Sequence, residues 1–194
     1  MNLQLTIGQL RKIFELEDSA QDDALLVNEV VYDTRTLVQG DGKMFFALQG
    51  KYRNGASFVE EAYQKGIRAF VVKEIPNKAH LDVVYLQVSK PLDALMKLAK
   101  WHRLHFEIPI IAIIGTHGKT TIKEWLGSLL KRKYRLVKSP KSYNSKLGVA
   151  LSILELHSSA DVGVFELSIS LPDEGKAFNE MLAPTHVVIG HIGD

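Results

Sequence analysis

The sequence predicts an α/β protein of two modules, and three observations carry that prediction. Apolar runs of strand length alternate with stretches of helical spacing along the whole chain, the order that builds parallel sheets covered by helices. Residues 110–121 read I-I-A-I-I-G-T-H-G-K-T-T, a buried strand that turns through glycines into a helix start. Between the halves, Glu107-Ile108-Pro109 marks a boundary, because proline disfavours helical backbone at the residue before it. The modules are residues 1–107 and 108–194.

Each element has its own signal. Thr6 with Gln9 forms a capping box for a short helix bearing Leu10, Ile13 and Phe14. Residues 27–32 and 44–48 read as strands, with a turn at 39–42 between them. A helix over 57–65 is stopped by Gly66 and followed by strands at 69–72 and 83–88. Residues 91–105 are a helix with Leu92, Leu95 and Ala99 on one face. In the second module, strands fall at 110–114, 135–138, 162–166 and 186–189, and helices at 122–130, 147–156 and 172–181. Gly115, Glu166 and Gly190 stand at the carboxyl ends of strands, where ligands collect in such sheets. A chain that stops at Gly193-Asp194, straight after a strand, is expected to be a fragment of a larger fold.

Composition narrows the function classes. The 194 residues carry 24 basic and 22 acidic side chains, a net charge of +2, too balanced to argue for nucleic acid. No apolar run approaches the ~18–20 residues that span a bilayer, and the N-terminus lacks the features of a secretory signal. With no cysteine, disulfides and thiol catalysis are excluded. A cytoplasmic protein without membrane insertion is the expectation.

The chemistry concentrates at residues 115–121. First-turn N–H groups of a helix lack intrahelical partners, and the helix end carries roughly half a positive charge. Glycine lets that backbone approach an anion, a lysine adds a point charge, and a threonine hydroxyl can hold Mg²⁺. The long Walker spacing would want glycine where Ile113 stands, so the match is to a shortened G-x-x-G-K-T form. The competing reading, a structural turn with an exposed lysine, explains poorly two glycines and two threonines at one junction.

Other features read as structural. His102 and His105 stand i, i+3 on a helix without a third metal ligand in view. Six basic residues between Lys131 and Lys141 form a solvated face more readily than a docking site for an anionic substrate. His117 could face ligand or simply pack the loop.

Several motifs together resemble the Mur ligase family. Asp33-Thr34-Arg35, Gly40-Asp41 and residues 44–50 (M-F-F-A-L-Q-G) are similar to its uridine-nucleotide-binding domain. Gly115-Thr116-His117-Gly118-Lys119-Thr120-Thr121 resembles its phosphate loop. Lys123-Glu124-Trp125, Ser142-Tyr143-Asn144-Ser145 and Leu147-Gly148-Val149 resemble the branch that adds D-alanyl-D-alanine to a UDP-N-acetylmuramoyl tripeptide, in the Bacteroidetes version often fused to an alanine racemase. The histidine inside the loop is more typical of the L-alanine-adding branch. That branch, however, opens with a glycine-rich dinucleotide-type fold, and residues 1–30 hold no G-x-G-x-x-G. Folate polyglutamate synthetases share the short loop but not the Asp33-Thr34-Arg35 module.

The resemblance implies a small uridine-nucleotide-binding α/β domain followed by a truncated ATPase domain with a parallel sheet. It implies an ATP-dependent amide ligase in peptidoglycan precursor synthesis that works through an acyl phosphate. Residues 115–121 would cradle ATP, Lys119 would bridge the β- and γ-phosphates, and Thr120 and Glu166 would bind Mg²⁺. Thr34, Arg35, Asn144 and Ser145 would contact the UDP-linked peptide. The chain departs from the pattern at Ser168 and Asp173, where glycine is common, and at His191, where asparagine is. The family's later segments supply further active-site groups, so a fragment ending at Asp194 is expected to be inactive alone. The alternatives are a non-catalytic nucleotide- or UDP-sugar-binding module and, more distantly, a generic P-loop hydrolase.

Overall fold

The computed structural model describes residues 3–17, 23–50 and 54–193; Asp194, the predicted end point, lies outside them. Contacts divide the chain into two compact units, Met1–Leu98 and Ala99–Asp194. The border falls inside a helix.

The first unit opens with β1 (Leu5–Thr6) and α1 (Ile7–Phe14). The capping box is present: Gln9 N–H donates to Thr6 Oγ1 at 3.2 Å and Thr6 N–H to Gln9 Oε1 at 2.9 Å. The strand expected at 27–32 is two strands, β2 (Leu26–Val27) and β3 (Glu29–Val31). Asn28 separates them, because its N–H donates to Gly42 O at 2.7 Å and its carbonyl accepts from Leu3 N–H at 2.9 Å. The first pairs antiparallel with β1; the second enters a wholly parallel sheet.

That sheet continues with β4 (Lys43–Phe46), β5 (Ala69–Val72) and β6 (Val84–Gln87), in the order β3-β4-β5-β6. The helix expected over 57–65 starts as a 3₁₀ turn, Gly55–Phe58, because the Asn54 side chain accepts from Ala56 N–H at 3.1 Å. It becomes α2 at Val59–Gln64. Val31, Phe45, Ala62, Ile67 and Phe70 meet in the core between sheet and helix, and all four residues of β5 are buried. Such burial on both faces is why its sequence is an unbroken apolar run.

Helix α3 (Pro91–Arg103) carries the unit border. Its last turn belongs to the second unit, where the Arg103 guanidinium donates to Leu182 O at 2.9 Å and Ala183 O at 3.2 Å. The buried His102 ring shares a 2.9 Å hydrogen bond with Leu156 O.

The second unit runs β7 (Ile110–Ile114), α4 (Lys119–Leu130), β8 (Leu136–Lys138), α5 (Lys146–Ile153), β9 (Val162–Glu166), α6 (Pro172–Leu182) and β10 (His186–Ile189). All pairings are parallel, in the order β10-β7-β9-β8. Strand β7 lies inside the sheet, and its register sets Ile113 opposite Glu166. The phosphate-loop candidate and the candidate metal carboxylate therefore leave neighbouring strands at the same edge.

Candidate nucleotide site

The loop after β7 needs its glycines for two different reasons. Gly115 has φ +140°, and a Cβ there would stand 3.0 Å from His191 O. Gly118 has φ +79° and a Cβ there would meet no atom within 4 Å. At Gly115 a side chain is excluded by backbone; at Gly118 it would project into open space. Gly118 is also the N-cap of α4 and makes no side-chain cap bond. Helix α4 thus starts three residues earlier than its apolar spacing indicates, and no side chain from the N-cap covers its first-turn N–H groups.

A second strand end braces the loop. Thr116 N–H donates to His191 O at 2.7 Å, its hydroxyl donates to the same oxygen at 2.8 Å, and Gly193 N–H donates back to that hydroxyl at 2.9 Å. Gly190 N–H donates to Ile114 O at 2.8 Å. His191, one of the departures from the family pattern, serves here through its backbone oxygen, which any residue could supply. Lys119 folds back over the loop, its ammonium donating to Gly115 O at 2.7 Å and Thr116 O at 3.2 Å.

Glu166 ends β9 with its side chain fully buried. Its Oε1 accepts from the Asn144 amide at 3.0 Å. Its Oε2 is buried without a hydrogen-bond donor and lies 3.4 Å from the ammonium of Lys123. Lys123 stands one helical turn beyond Lys119, so Glu166 faces the helix that begins at the phosphate loop. Sequence reasoning used Lys123 as a motif residue and gave it no role. A lysine at i+4 from Lys119, spaced by four from Gly127 on the buried face of α4, was the available signal.

Asn144 and Ser145 are placed beside this site. Besides holding Glu166, Asn144 accepts from Ser168 N–H through its carbonyl at 2.9 Å. The Ser145 hydroxyl caps α5, accepting from Gly148 N–H at 3.2 Å. The Ser168 departure meets this loop through its backbone, and Asp173 lies in the acidic first turn of α6, where negative charge is favourable. In the basic stretch, Arg135 pairs with Asp161 at 2.7 Å and Lys138 with Glu124. The Lys138 hydrogen bond holds the Glu124 carboxyl below the usual carboxylate range.

The other two predicted contacts lie in the first unit. Asp33 caps the 3₁₀ turn Thr34–Thr36 and grips Arg35 side-on, at 2.9 Å to Nε and 2.5 Å to Nη2. That carboxylate raises the Arg35 guanidinium above its ordinary value, first by hydrogen bonding and then by charge. Thr34 is buried; its carbonyl accepts from the Lys65 ammonium at 2.7 Å. Hydrogen bonds from Lys65, and then from Thr34, hold the Glu61 carboxyl below the usual range. A cavity of about 580 Å³ opens where β4, β5 and β6 end and α3 begins, lined by Ala47, Gln49, Asn54, Lys73, Ser89 and Lys90 among others. Its described lining includes neither Thr34 nor Arg35.

The donor set fits Mg²⁺ held through a nucleotide. No group of three or more His, Asp or Glu among the described residues could hold a metal by itself. Mg²⁺ is usually bound by one or two carboxylates with phosphates and water, and Glu166 Oε2 is a buried oxygen without a donor. The open cradle at Gly118 fits the phosphates. No helix among the described residues is long and apolar enough to cross a membrane.

Comparison with known proteins finds relatives of the whole chain. Residues 113–194 match the Mur ligase middle domain. The chain is 30% identical to the UDP-N-acetylmuramoyl-tripeptide–D-alanyl-D-alanine ligase of Bacillus subtilis (strain 168), over 90% of this chain and 38% of that protein. It is 30% identical to the ligase of the same name from Synechocystis, over 100% of this chain and 43% of that one. Among solved structures, MurF from Acinetobacter baumannii superposes with a TM-score of 0.82 at 26% identity, covering 97% of this chain and 41% of that one. MurF ligase from Thermotoga maritima, in complex with ADP, gives 0.76 at 29% identity, covering 87% and 38%. The chain spans about two fifths of the length of the relatives it matches.

Proposed function

We propose, because residues 113–194 match the Mur ligase middle domain in a chain similar along its length to ligases that add D-alanyl-D-alanine, that this protein is the substrate- and ATP-binding part of such a ligase. The substrates on this reading are ATP, UDP-N-acetylmuramoyl tripeptide and D-alanyl-D-alanine, and the setting is cytoplasmic peptidoglycan precursor synthesis. The observation that carries it is the pairing, on adjacent ends of β7 and β9, of an uncapped, glycine-started helix with a buried carboxylate oxygen that has no donor. A structural turn would need neither.

The γ-phosphoryl group of ATP passes to the terminal carboxylate of the tripeptide, leaving ADP and an acyl phosphate. The dipeptide amine attacks that carbonyl, inorganic phosphate leaves, and the amine gives up a proton as the amide forms. Positioning and charge neutralisation do most of the work in such transfers. The N–H groups of residues 115–121, His117 and Thr121 included, cradle the phosphates. Lys119 would exchange its loop carbonyls for phosphate oxygens, and Thr120 and Glu166 would hold the metal. Magnesium, when bound, neutralises charge building on the phosphates. Asn144 fixes Glu166 and, with Ser145, borders the tripeptide end of the substrate; Thr34 and Arg35 belong to the uridine end. Residues 1–107 are the substrate module on this reading and 108–194 the start of the ATPase module. The family's later segments would complete the ligase, and an alanine racemase domain is the fusion partner this reading would give the natural protein.

The test is Lys119→Ala in the natural protein, assayed for phosphate release dependent on ATP, UDP-linked tripeptide and D-alanyl-D-alanine. A ligase loses turnover by several orders of magnitude. Retained turnover would overturn the role given to Lys119, and wild-type protein that binds UDP-linked tripeptide but never hydrolyses ATP would replace the ligase by a non-catalytic binding module.

A further inference from the structure

Lys123 is fully buried, and its position explains why. An ammonium taken out of water costs several kcal/mol unless it is paired and hydrogen-bonded, and a methionine would fill the same volume without that cost. Around its Nζ stand three oxygens: the Lys141 carbonyl, which it contacts by hydrogen bond, Glu166 Oε2 at 3.4 Å and Glu124 Oε1 at 3.7 Å. Glu124 is in turn engaged by Lys138. The ammonium therefore belongs chiefly to Glu166 and to the loop 139–145.

These contacts close a circuit. Lys123 grips the carbonyl of Lys141, a residue at φ +48°, left-handed backbone that costs an L-residue about 1–2 kcal/mol. Three residues on, Asn144 reaches from the same loop to Glu166 Oε1. Glu166 Oε2 then faces Lys123 at ion-pair distance without accepting a hydrogen bond. One carboxylate oxygen is fixed by the loop, and the other is held by charge alone.

We infer that Lys123 is the positioning residue of the metal carboxylate: it fixes Glu166 from the helix side, sets the loop that fixes it from the other, and leaves Oε2 unspent for the cation. The inference rests on the magnesium role given to Glu166 above. It adds a second lysine of α4 with its own duty. Lys119 meets the nucleotide, and Lys123 meets the residue that meets the metal.

The test measures binding of a fluorescent ADP analogue to the natural protein, with and without Mg²⁺, in wild type, Lys123→Met and Lys123→Arg. Wild type tightens its grip on ADP when Mg²⁺ is added. Lys123→Met is expected to keep its metal-free ADP affinity and to need about 10- to 100-fold more Mg²⁺ for that tightening, the usual effect of removing an outer-sphere partner. Lys123→Arg keeps the charge in a longer, planar group and should fall between the two. It carries the test if the methionine variant does not fold. A folded variant with a lowered melting point but a wild-type Mg²⁺ requirement would overturn the inference and leave Lys123 a core ion pair. Wild-type protein that binds ADP equally with and without Mg²⁺ would overturn the metal reading itself, and this inference with it.

Discussion

Alanine at Gly118 and alanine at Gly115 should fail differently, and the difference tests whether the loop is built for a ligand. At Gly118 the added methyl meets no atom within 4 Å, so the cost to the free protein is the dihedral alone, about 1–2 kcal/mol for an L-residue in left-handed backbone. At Gly115 the strain at φ +140° comes with a Cβ 3.0 Å from His191 O and 3.3 Å from two atoms of Gly190. Backbone cannot move aside as a side chain can, so overpacking adds about 1–3 kcal/mol. Binding should rank the other way for its cause. The methyl of Gly118→Ala projects where phosphates are proposed to sit, and losing one charge-assisted N–H contact at about 1.5–3 kcal/mol weakens ADP roughly 10- to 100-fold. Both tryptophans, Trp101 and Trp125, lie in the second unit, so their fluorescence during urea unfolding reports this unit's stability. ADP affinity comes from titration at low urea. Equal destabilisation by the two substitutions, or wild-type ADP affinity in folded Gly118→Ala, would refute the reasoning.

Two further predictions concern pH. Burial pushes His102 below its ordinary value of 6.5, so the unfolded chain binds the proton more readily than the folded one. Stability from this group is complete above about pH 6.5 and falls as the pH drops through that value. Urea midpoints at pH 8 and pH 5 should converge in His102→Gln relative to wild type, and an unchanged gap would count against it. Asp161 is held at about 2 by hydrogen bonds from Arg135. Its contribution is present above pH 3.8 and is lost as pH falls toward 2; NMR titration should find the carboxyl raised in Arg135→Gln but still below 3.8, because the backbone N–H of residue 135 keeps donating to it.

Much of this fold is legible in the sequence because its strands are short apolar runs, fully buried at 69–72 and 162–166 and apolar even where exposed, at 186–189. Residues 69–72, 162–166 and 186–189 are strands over those bounds, each an apolar run with little to compete for it. Apolar spacing starts α4 at Ile122, three residues late, since Lys119, Thr120 and Thr121 are polar and no periodicity marks them; a glycine N-cap begins this helix. Asn28 splits a strand through backbone bonds to residues far along the chain, which local pattern does not record. Arg35 reads as a substrate contact and in the structure lies in the fork of Asp33, two residues away. What sets the surroundings of Lys123 is its distance to Glu166, forty-three positions later (166 − 123), which no local pattern records. The contact of the His102 ring with the Leu156 carbonyl, fifty-four positions on, is likewise beyond local pattern.

The folded-back posture of Lys119 has one more consequence. Its ammonium already rests on two oxygens of the loop that it would leave for a phosphate. The side chain is therefore ordered before any anion arrives, and the loop's carbonyls act as a resident mimic of the phosphate oxygens. Binding on this view is an exchange of acceptors at constant valence. The gain comes from swapping two partial charges for whole ones, so discrimination is steepest between anions and neutral ligands and shallow among anions. Selectivity for the nucleotide then has to come from elsewhere than this lysine.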